Sequence, residues 1–208
     1  MRKMIKVCGM RDPENIRKLG DLKPDMMGLI FHPGSPRYVS SPEELVDVFA
    51  HERQFKLAGV FVNEDISIIR HLSKLLDLEY IQLHGNESPG YCGELKSRGF
   101  KIIKAFGISE KKDLTKVEYY EGIADMFLFD TKTKSYGGSG KKFDWSVLEN
   151  YQGSAPFLLS GGIGPRDYPE IGNPAYAGVD LNSSFEISPG LKDISLLSYY
   201  IKRFRDDK

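Results

Sequence analysis

The chain has 208 residues, of which 40% are hydrophobic and 28% charged, and its 29 basic residues balance its 29 acidic ones. This length and composition suit one globular unit with a sizeable core, so we predict a single domain over residues 1–208. Balanced and interspersed charge excludes a basic face for nucleic acid or for a membrane, which leaves a small molecule as the expected partner.

The N-terminal apolar run is interrupted by Lys6 and ends at Arg11, which is too short for a signal-peptide core. No other run approaches the roughly 18 apolar residues that a membrane span requires. We therefore expect a cytoplasmic protein. The two cysteines, Cys8 and Cys92, form no C-x-x-C pair, so both are predicted to be free thiols.

Eight short apolar runs alternate with segments of helical pattern along the whole chain. The runs lack a clean polar alternation, which is typical of parallel strands covered on both faces. In chain order they are KMIKVCG (3–9), DMMGLIF (25–31), KLAGVFV (56–62), YIQLHG (80–85), KIIKAFG (101–107), DMFLFDT (125–131), PFLLSGG (156–162) and YAGVDLN (176–182).

The segments between these runs carry helix start signals. Asp12 is a candidate N-cap before Pro13, and Ser41 with Pro42 repeats the pattern. The segment before the last run, GPRDYPEIG, is a short helix candidate interrupted by proline. The other predicted helices are RDPENIRKLGDL, SSPEELVDVFA, EDISIIRHLSKLLDL, SPGYCGELKSRG, SEKKDLTKVEYYEG and KDISLLSYYIKRFRD.

Eight strand–helix units fit either a closed barrel or an open doubly wound sheet. The first strand-to-helix turn, CGMRDPE, has one glycine and lacks the G-x-G-x-x-G of the open sheet. We therefore predict an α/β fold, a single (β/α)8 (TIM) barrel of eight parallel strands with outer helices.

Polar residues collect where the predicted strands end, and in such barrels those ends and the following loops form the active site. Asp130 and Asp180 follow apolar strands, and a charge there needs a partner or a role. Capping of the next loop is the alternative interpretation for each. The polar set also contains Cys8, His32, Arg37, Asn63, Gln82 and His84.

Two Gly- and Ser-rich turns follow strands seven and eight, where such barrels frequently hold phosphate. They supply Gly161 and Gly162, then Asn182, Ser183 and Ser184. Glycines let backbone amides approach an anion closely, so we predict a phosphate site there, with plain turn chemistry as the alternative.

A third Gly-rich segment, SYGGSGKKFDW (135–145), invites comparison with a P-loop. It has Lys142 where that motif requires Ser or Thr. We interpret it as a mobile loop over the site that ends at Asp144 and Trp145, where helix six is expected to begin.

Motifs along the chain resemble those of the phosphoribosylanthranilate isomerases of tryptophan biosynthesis. The resemblance covers essentially the full chain in order. It implies a (β/α)8 barrel that converts N-(5-phosphoribosyl)anthranilate into 1-(2-carboxyphenylamino)-1-deoxyribulose 5-phosphate, an Amadori rearrangement that uses no metal and no organic cofactor. The motifs are KVCGM, GLIF followed by SPRYVS, GVFVN, IQLHG, FLFDT followed by GGSGKKFDW, LSGGI and GVDLNSSFE.

The resemblance also implies residue roles. Asp130 would be the general acid on the ribose ring oxygen, and Cys8, as thiolate, the general base at C2. Arg37 would face the anthranilate carboxylate, and it is also, with the helix N-terminus near Asp12, a candidate for favouring the thiolate. Substrate binding is further expected of Gln82, His84 and Asp180, and phosphate binding of Gly161, Gly162, Asn182, Ser183 and Ser184.

Two alternatives stay open at the level of sequence. His32 and His84 with Asp130 and Asp180 could hold a divalent metal in a sugar-phosphate epimerase of the same architecture, although such an enzyme needs neither Cys8 nor the Arg37 loop. A catalytically silent phosphate-ligand-binding barrel is the other alternative, although both acid–base residues are present. The sequence carries no motif that separates a monomer from a homodimer.

Overall fold

The eight predicted strands form a closed barrel of parallel strands in the computed structural model, which describes residues 2–50, 53–132 and 142–206. The prediction of fold class is confirmed. Every strand pairs with its neighbours in sequence, and the first pairs with the last to close the barrel. The strands are β1 (Met4–Cys8), β2 (Met26–Ile30), β3 (Lys56–Phe61), β4 (Tyr80–Leu83), β5 (Lys101–Ile108), β6 (Met126–Thr131), β7 (Phe157–Leu159) and β8 (Tyr176–Leu181).

Helices and one short antiparallel ribbon complete the fold. The ribbon pairs β9 (Glu186–Ser188) with β10 (Leu191–Lys192) directly after the barrel. No helix among the described residues combines the length and apolar character that crossing a membrane would need. The α-helices are α1 (Pro13–Asp21), α2 (Val46–Phe49), α3 (Ile66–Leu76), α4 (Pro89–Ser97) and α5 (Ile194–Asp206), and the 3-10 helices are Pro42–Leu45, Lys111–Tyr120, Trp145–Asn150 and Ser183–Phe185.

Helix caps follow the sequence signals in part. The Asp12 carboxylate accepts a 2.7 Å hydrogen bond from the Asn15 amide, so the predicted N-cap of α1 is confirmed. Ser41 makes no side-chain capping bond, and the segment after it begins as a 3-10 helix at Pro42. The predicted helices around 111–120 and 145–150 are 3-10 helices throughout.

The predicted short helix GPRDYPEIG does not form. Pro165 and Pro169 lack the amide donors that a helix would use, and side chains hold the segment instead. Tyr200 donates a hydrogen bond to the Asp167 carbonyl at 2.9 Å, and the Asn173 amide donates to the Tyr151 carbonyl at 2.8 Å. The connection between β7 and β8 is therefore an extended loop.

Strand alternation separates two apolar layers. Alternate residues of β2 to β7 fill the barrel interior, and the residues between them pack against the helices. The interior residues have odd numbers in β5 and even numbers in the other five strands. Because the apolar interior set occupies the lower part of the barrel, the interior positions at the carboxyl ends remain for polar side chains. The interior set is Met26, Ala58, Tyr80, Ile103, Ala105, Met126, Leu128 and Leu158.

Candidate active site

One pocket at the carboxyl ends of the strands collects all the residues predicted to catalyse the reaction or to bind substrate and phosphate. It is walled on its apolar side by Ile30, Val60, Val62 and Ile163. Asn63, at the end of β3, does not line it, and its side-chain oxygen accepts a hydrogen bond from the Asn86 amide. The predicted residues in the pocket are Cys8, His32, Arg37, Gln82, His84, Asp130, Gly161, Gly162, Asp180, Asn182, Ser183 and Ser184.

Cys8 ends β1 as a buried thiol that is 3% exposed. Its Cα pairs with Gly28 on β2, and a Cβ built on Gly28 would lie 2.7 Å from the Cys8 sulfur. The missing side chain on β2 thus leaves the space that the thiol occupies. Burial raises the pKa of Cys8, while the positive charges of Lys6 and Lys192 oppose that rise.

Lys6 is a member of the site that the sequence analysis did not select. It is fully buried inside the barrel, and its ammonium donates a 2.9 Å hydrogen bond to Asp180 Oδ1. Burial lowers the pKa of Lys6, but Asp180 and Cys8 outweigh it and the pKa is raised. The signal was a lysine two residues before Cys8 in an apolar strand, hence on the same face.

Asp130 is the next-to-last residue of β6 and lines the same pocket as Cys8, three strands away around the barrel. Its Oδ1 accepts a 2.7 Å hydrogen bond from the Thr131 amide. Burial raises the pKa of Asp130 to about 6, and Asp180 adds to the rise while Lys6 opposes it. A carboxyl group with that pKa holds a proton more readily than an ordinary aspartate does.

His84 stands between Gln82 and Asp130. Burial, together with the charges of Lys104 and Lys6, lowers the pKa of His84 to about 4, so the ring is neutral. Gln82 Nε2 lies 3.0 Å from His84 Nδ1, and His84 Nε2 lies 3.7 Å from Asp130 Oδ2. An amide that donates to Nδ1 leaves the ring proton on Nε2, which faces Asp130.

The loop that carries His84 is braced by a buried ion pair. Lys104 Nζ contacts Glu87 Oε2 at 3.1 Å and also donates to the Leu83 and Gly85 carbonyls. Glu87 in turn accepts hydrogen bonds from the Gly85 and Asn63 amides. These hydrogen bonds hold the backbone of the turn beside the pocket.

Arg37 is held by a carboxylate of its own chain. Its Nε and Nη2 contact the two oxygens of Glu186 at 2.9 and 2.6 Å, and Lys192 donates to Glu186 Oε1 at 2.7 Å. The candidate role of Arg37 in favouring the Cys8 thiolate is corrected here, because the cations that act on Cys8 are Lys6 and Lys192. The start of α1 is likewise occupied, by the Asp12 carboxylate.

The predicted phosphate turns lie side by side at the pocket. Gly161 and Gly162 have φ values of +88° and +67°, and a side chain on Gly161 would lie 2.6 Å from Asp130 Oδ1. These positions therefore favour glycine for both backbone and space. In the second turn, Asn182 Oδ1 accepts a 2.7 Å hydrogen bond from Lys192 Nζ.

The remaining sequence expectations concern a metal site and the Gly-rich segment 135–145. Within the described ranges, no group of three or more His, Cys, Asp or Glu side chains is placed to hold a metal ion. Residues 135–141 of the segment interpreted as a loop over the site lie outside the described residues. Beyond them, Asp144 accepts a hydrogen bond from the Ser146 amide at 3.0 Å and caps the 3-10 helix that begins at Trp145.

Comparisons with known proteins agree with this geometry. The family model for N-(5'-phosphoribosyl)anthranilate isomerase matches residues 5–203. A protein of that name from Parabacteroides distasonis is 49% identical over 204 residues, covering 96% of this chain and 92% of the relative.

Solved structures match as well. The phosphoribosyl anthranilate isomerase of Thermotoga maritima superimposes with a TM-score of 0.86 at 32% identity, covering 98% and 99% of the two chains. An isomerase solved in complex with reduced 1-(o-carboxyphenylamino)-1-deoxyribulose 5-phosphate gives a TM-score of 0.82 at 28% identity, with the same coverage.

Proposed function

Because this chain belongs to the N-(5'-phosphoribosyl)anthranilate isomerase family and is an isomerase of tryptophan biosynthesis, we propose that it works by acid–base catalysis with Asp130 and Cys8. The reaction is the Amadori rearrangement of N-(5'-phosphoribosyl)anthranilate to 1-(2-carboxyphenylamino)-1-deoxyribulose 5-phosphate. The observation that carries the proposal is one pocket faced by a buried thiol and by a carboxyl group with a pKa of about 6.

Asp130 acts first, as the general acid. Its proton goes to the ribose ring oxygen while the C1–O bond breaks, and the nitrogen lone pair of the anthranilate forms the C1=N bond of an iminium ion. The raised pKa of Asp130 supports this role, because a fraction of the carboxyl groups keeps its proton near neutral pH.

Cys8 acts second, as the general base. The iminium ion makes the C2 proton acidic, and the thiolate removes it. The C2–H electrons then form the C1=C2 bond of an enolamine while the C1=N π electrons return to the nitrogen as its lone pair. Return of a proton to C1 and loss of the hydroxyl proton at C2 then give the ketone. A base with a raised pKa is strong in its thiolate form, and that strength favours proton removal from carbon.

The remaining residues would bind the substrate. Its phosphate would lie on the backbone of Gly161, Gly162 and the turn from 182 to 184, and its carboxylate beside Arg37, which lines the pocket. Gln82 Oε1 is buried and has no hydrogen-bond partner among the described residues. A substrate hydroxyl or amine that donates to it would satisfy this atom.

The test is turnover of freshly generated substrate by the purified chain, followed through loss of anthranilate fluorescence. We expect turnover by the unmodified chain, and a kcat lower by about 10²–10⁴-fold in both Asp130→Asn and Cys8→Ala. Cys92→Ala is the matched control, because Cys92 is a buried residue of α4 and does not line the pocket. A nearly unchanged kcat in either site variant would remove the assigned role.

The same assay separates the alternatives. Substrate binding without turnover would favour the silent binding barrel, and dependence of turnover on a stoichiometric divalent metal would favour epimerase-like chemistry. Asp180, one of the candidate metal ligands, has its carboxylate paired with Lys6, which supports the metal-free proposal. We propose further that the chain acts as one domain in the cytoplasm, as a monomer or homodimer.

A further inference from the structure

An ion pair lies at the floor of the pocket, directly beneath the thiol. Lys6 on β1 faces Asp180 on β8 in the register that closes the barrel, and their side chains are 0% and 5% exposed. Two unlike charges buried this deeply carry a large desolvation cost. The proposed acid–base steps use neither group, so the pair needs a reason to be there.

The position of Lys6 supplies that reason. Lys6 and Cys8 are two residues apart on one strand, so their side chains point to the same side of the sheet, about 7 Å apart at the backbone. The ammonium bonds Asp180 Oδ1 at 2.9 Å, and its positive charge acts to lower the pKa of the Cys8 thiol on the same side of the strand. One buried ammonium therefore acts on both groups.

The charged groups that act on Cys8 come from three strands. Lys6 comes from its own strand, Asp180 from β8 and Lys192 from β10, while β2 presents only the hydrogen of Gly28. Of the two cations, Lys192 donates to Glu186 and to Asn182, whereas Lys6 lies on the same strand as Cys8, two residues away, and lowers the pKa of the thiol more than Lys192 does. Lys6 is therefore the cation with the stronger effect on the thiol.

We infer that Lys6 is the positioning residue that sets how much of Cys8 is thiolate, and that Asp180 opposes it as the buried counter-charge of the Lys6 ammonium. The inference rests on the proposed role of Cys8 as base and extends it. The two partners act on the thiolate in opposite directions, because the positive charge of Lys6 stabilises the anion and the negative charge of Asp180 repels it.

This opposition gives a test that needs no substrate. Cys8 is alkylated by iodoacetamide, a neutral reagent that new charges neither attract nor repel, and only the thiolate reacts. Every protein carries Cys92→Ala, so Cys8 is the sole thiol. At one pH below the pKa of Cys8, the alkylation rate reports the thiolate fraction, and each unit of pKa changes it about tenfold.

We expect Lys6→Met to slow alkylation by at least about tenfold and Asp180→Asn to accelerate it, relative to the Cys92→Ala parent. The double variant Lys6→Met/Asp180→Asn removes both charges and leaves no unpaired one, so it remains informative if Lys6→Met alone fails to fold. It is expected to react more slowly than the parent, because the charge of Lys6 affects the thiol more strongly than the opposing charge of Asp180 does. Unchanged or faster alkylation in either folded variant that lacks Lys6 would overturn the inference, as would slower alkylation in Asp180→Asn.

Turnover then separates the two proposals. Lys6→Met should lower kcat with a smaller effect on KM, because Lys6 is buried beneath the substrate pocket and acts through the thiolate. If the parent fails to turn over the substrate while the alkylation rates follow the expected order, the proposed function fails and the role of Lys6 stands. If turnover is normal and the alkylation rates are equal in all variants, the role of Lys6 fails and the proposed function stands.

Discussion

Arg37 and Glu186 form a forked ion pair at the rim of the barrel, with Nε and Nη2 of the arginine 2.9 and 2.6 Å from the two carboxylate oxygens. Both side chains are largely buried, and Lys192 joins the same carboxylate. The guanidinium is thereby fixed in orientation before any ligand arrives. Glu186 also tempers the charge of two cations that would otherwise repel each other across the pocket.

Replacement of Glu186 by Gln should destabilise the protein. The variant keeps the shape of the side chain but leaves Arg37 and Lys192 without their buried counter-charge, which costs roughly 3–5 kcal/mol in the free energy of unfolding. Urea denaturation at neutral pH measures the loss. The control is Glu14→Gln, which breaks the exposed pair with Lys18 and should cost less than about 0.5 kcal/mol. Equal losses in the two variants would contradict this account of the pair.

The positions of the site residues along the strands could be predicted from the sequence. The succession of apolar runs and helical segments placed Cys8, His84 and Asp130 at the ends of predicted strands, and each lines the pocket. Strand ends are local features of a repeating pattern, so the barrel could be deduced from them.

The partners of the site residues could not be deduced in this way. Glu186 is 149 residues from Arg37, and Asp180 is 174 residues from Lys6. These contacts exist only because β8 closes on β1, and a sequence pattern does not state which of several charges will meet. Lys6 itself was visible as a charge in an apolar run, yet only its burial shows that it must have a partner.

The pH dependence of the activity should reflect a general acid whose pKa is lower than that of the general base, which is the reverse of the usual order. Asp130 has a pKa of about 6, and the pKa of Cys8 lies above its ordinary value, so the acid loses its proton before the base does. Below pH 6 both groups are protonated, and above the pKa of Cys8 neither is. The active form carries one proton, on Asp130, and it is a small fraction of the one-proton enzyme.

We therefore expect kcat/KM to rise as pH increases through about 6, to stay level, and to fall only in the alkaline range where Cys8 ionises. The measurement is initial rates at low substrate concentration across the pH range in which the protein is folded. A value of kcat/KM that falls as pH rises through 6 would contradict the assigned order.

Asp113 gives a prediction about stability instead of activity. It accepts hydrogen bonds from Lys132 Nζ at 2.6 Å and from the Ser109 amide at 2.9 Å. Burial alone would raise the pKa of Asp113, but these partners lower it to about 2. The carboxylate is therefore more stable in the folded protein than in the unfolded chain, which contributes roughly 2 kcal/mol at neutral pH.

Because the pKa of Asp113 is lowered on folding, its contribution is full above pH 4 and is lost as pH falls towards 2. Asp113→Asn should reduce the free energy of unfolding at pH 7, and the difference from the unmodified protein should shrink in acid. Urea denaturation at a series of pH values measures it. Glu118→Gln, in an exposed position of the same 3-10 helix, is the control. A loss of stability that does not vary with pH would count against the charge as its cause.

Gly28 tests whether the space beside Cys8 matters for the reaction. A Cβ at this position would lie 2.7 Å from the Cys8 sulfur and 3.2 Å from the Cys8 backbone, so the thiol or strand β2 must move. A displacement of about 1 Å at a reacting group costs on the order of 10²-fold in rate. We expect Gly28→Ala to lower kcat by about that factor and to weaken the fold by roughly 1–3 kcal/mol.

Gly93 in α4 provides the matched control, because a Cβ there meets nothing within 4 Å. Gly93→Ala should leave kcat unchanged and stabilise the helix by about 0.5–1 kcal/mol, since alanine is the better helix former. Comparing both variants by kcat and by thermal unfolding separates the effect of an added methyl group from its effect at Cys8. If Gly28→Ala lost stability but kept its kcat, displacement of the thiol would not affect the reaction. Cys8 would then not be a base that must lie close to C2.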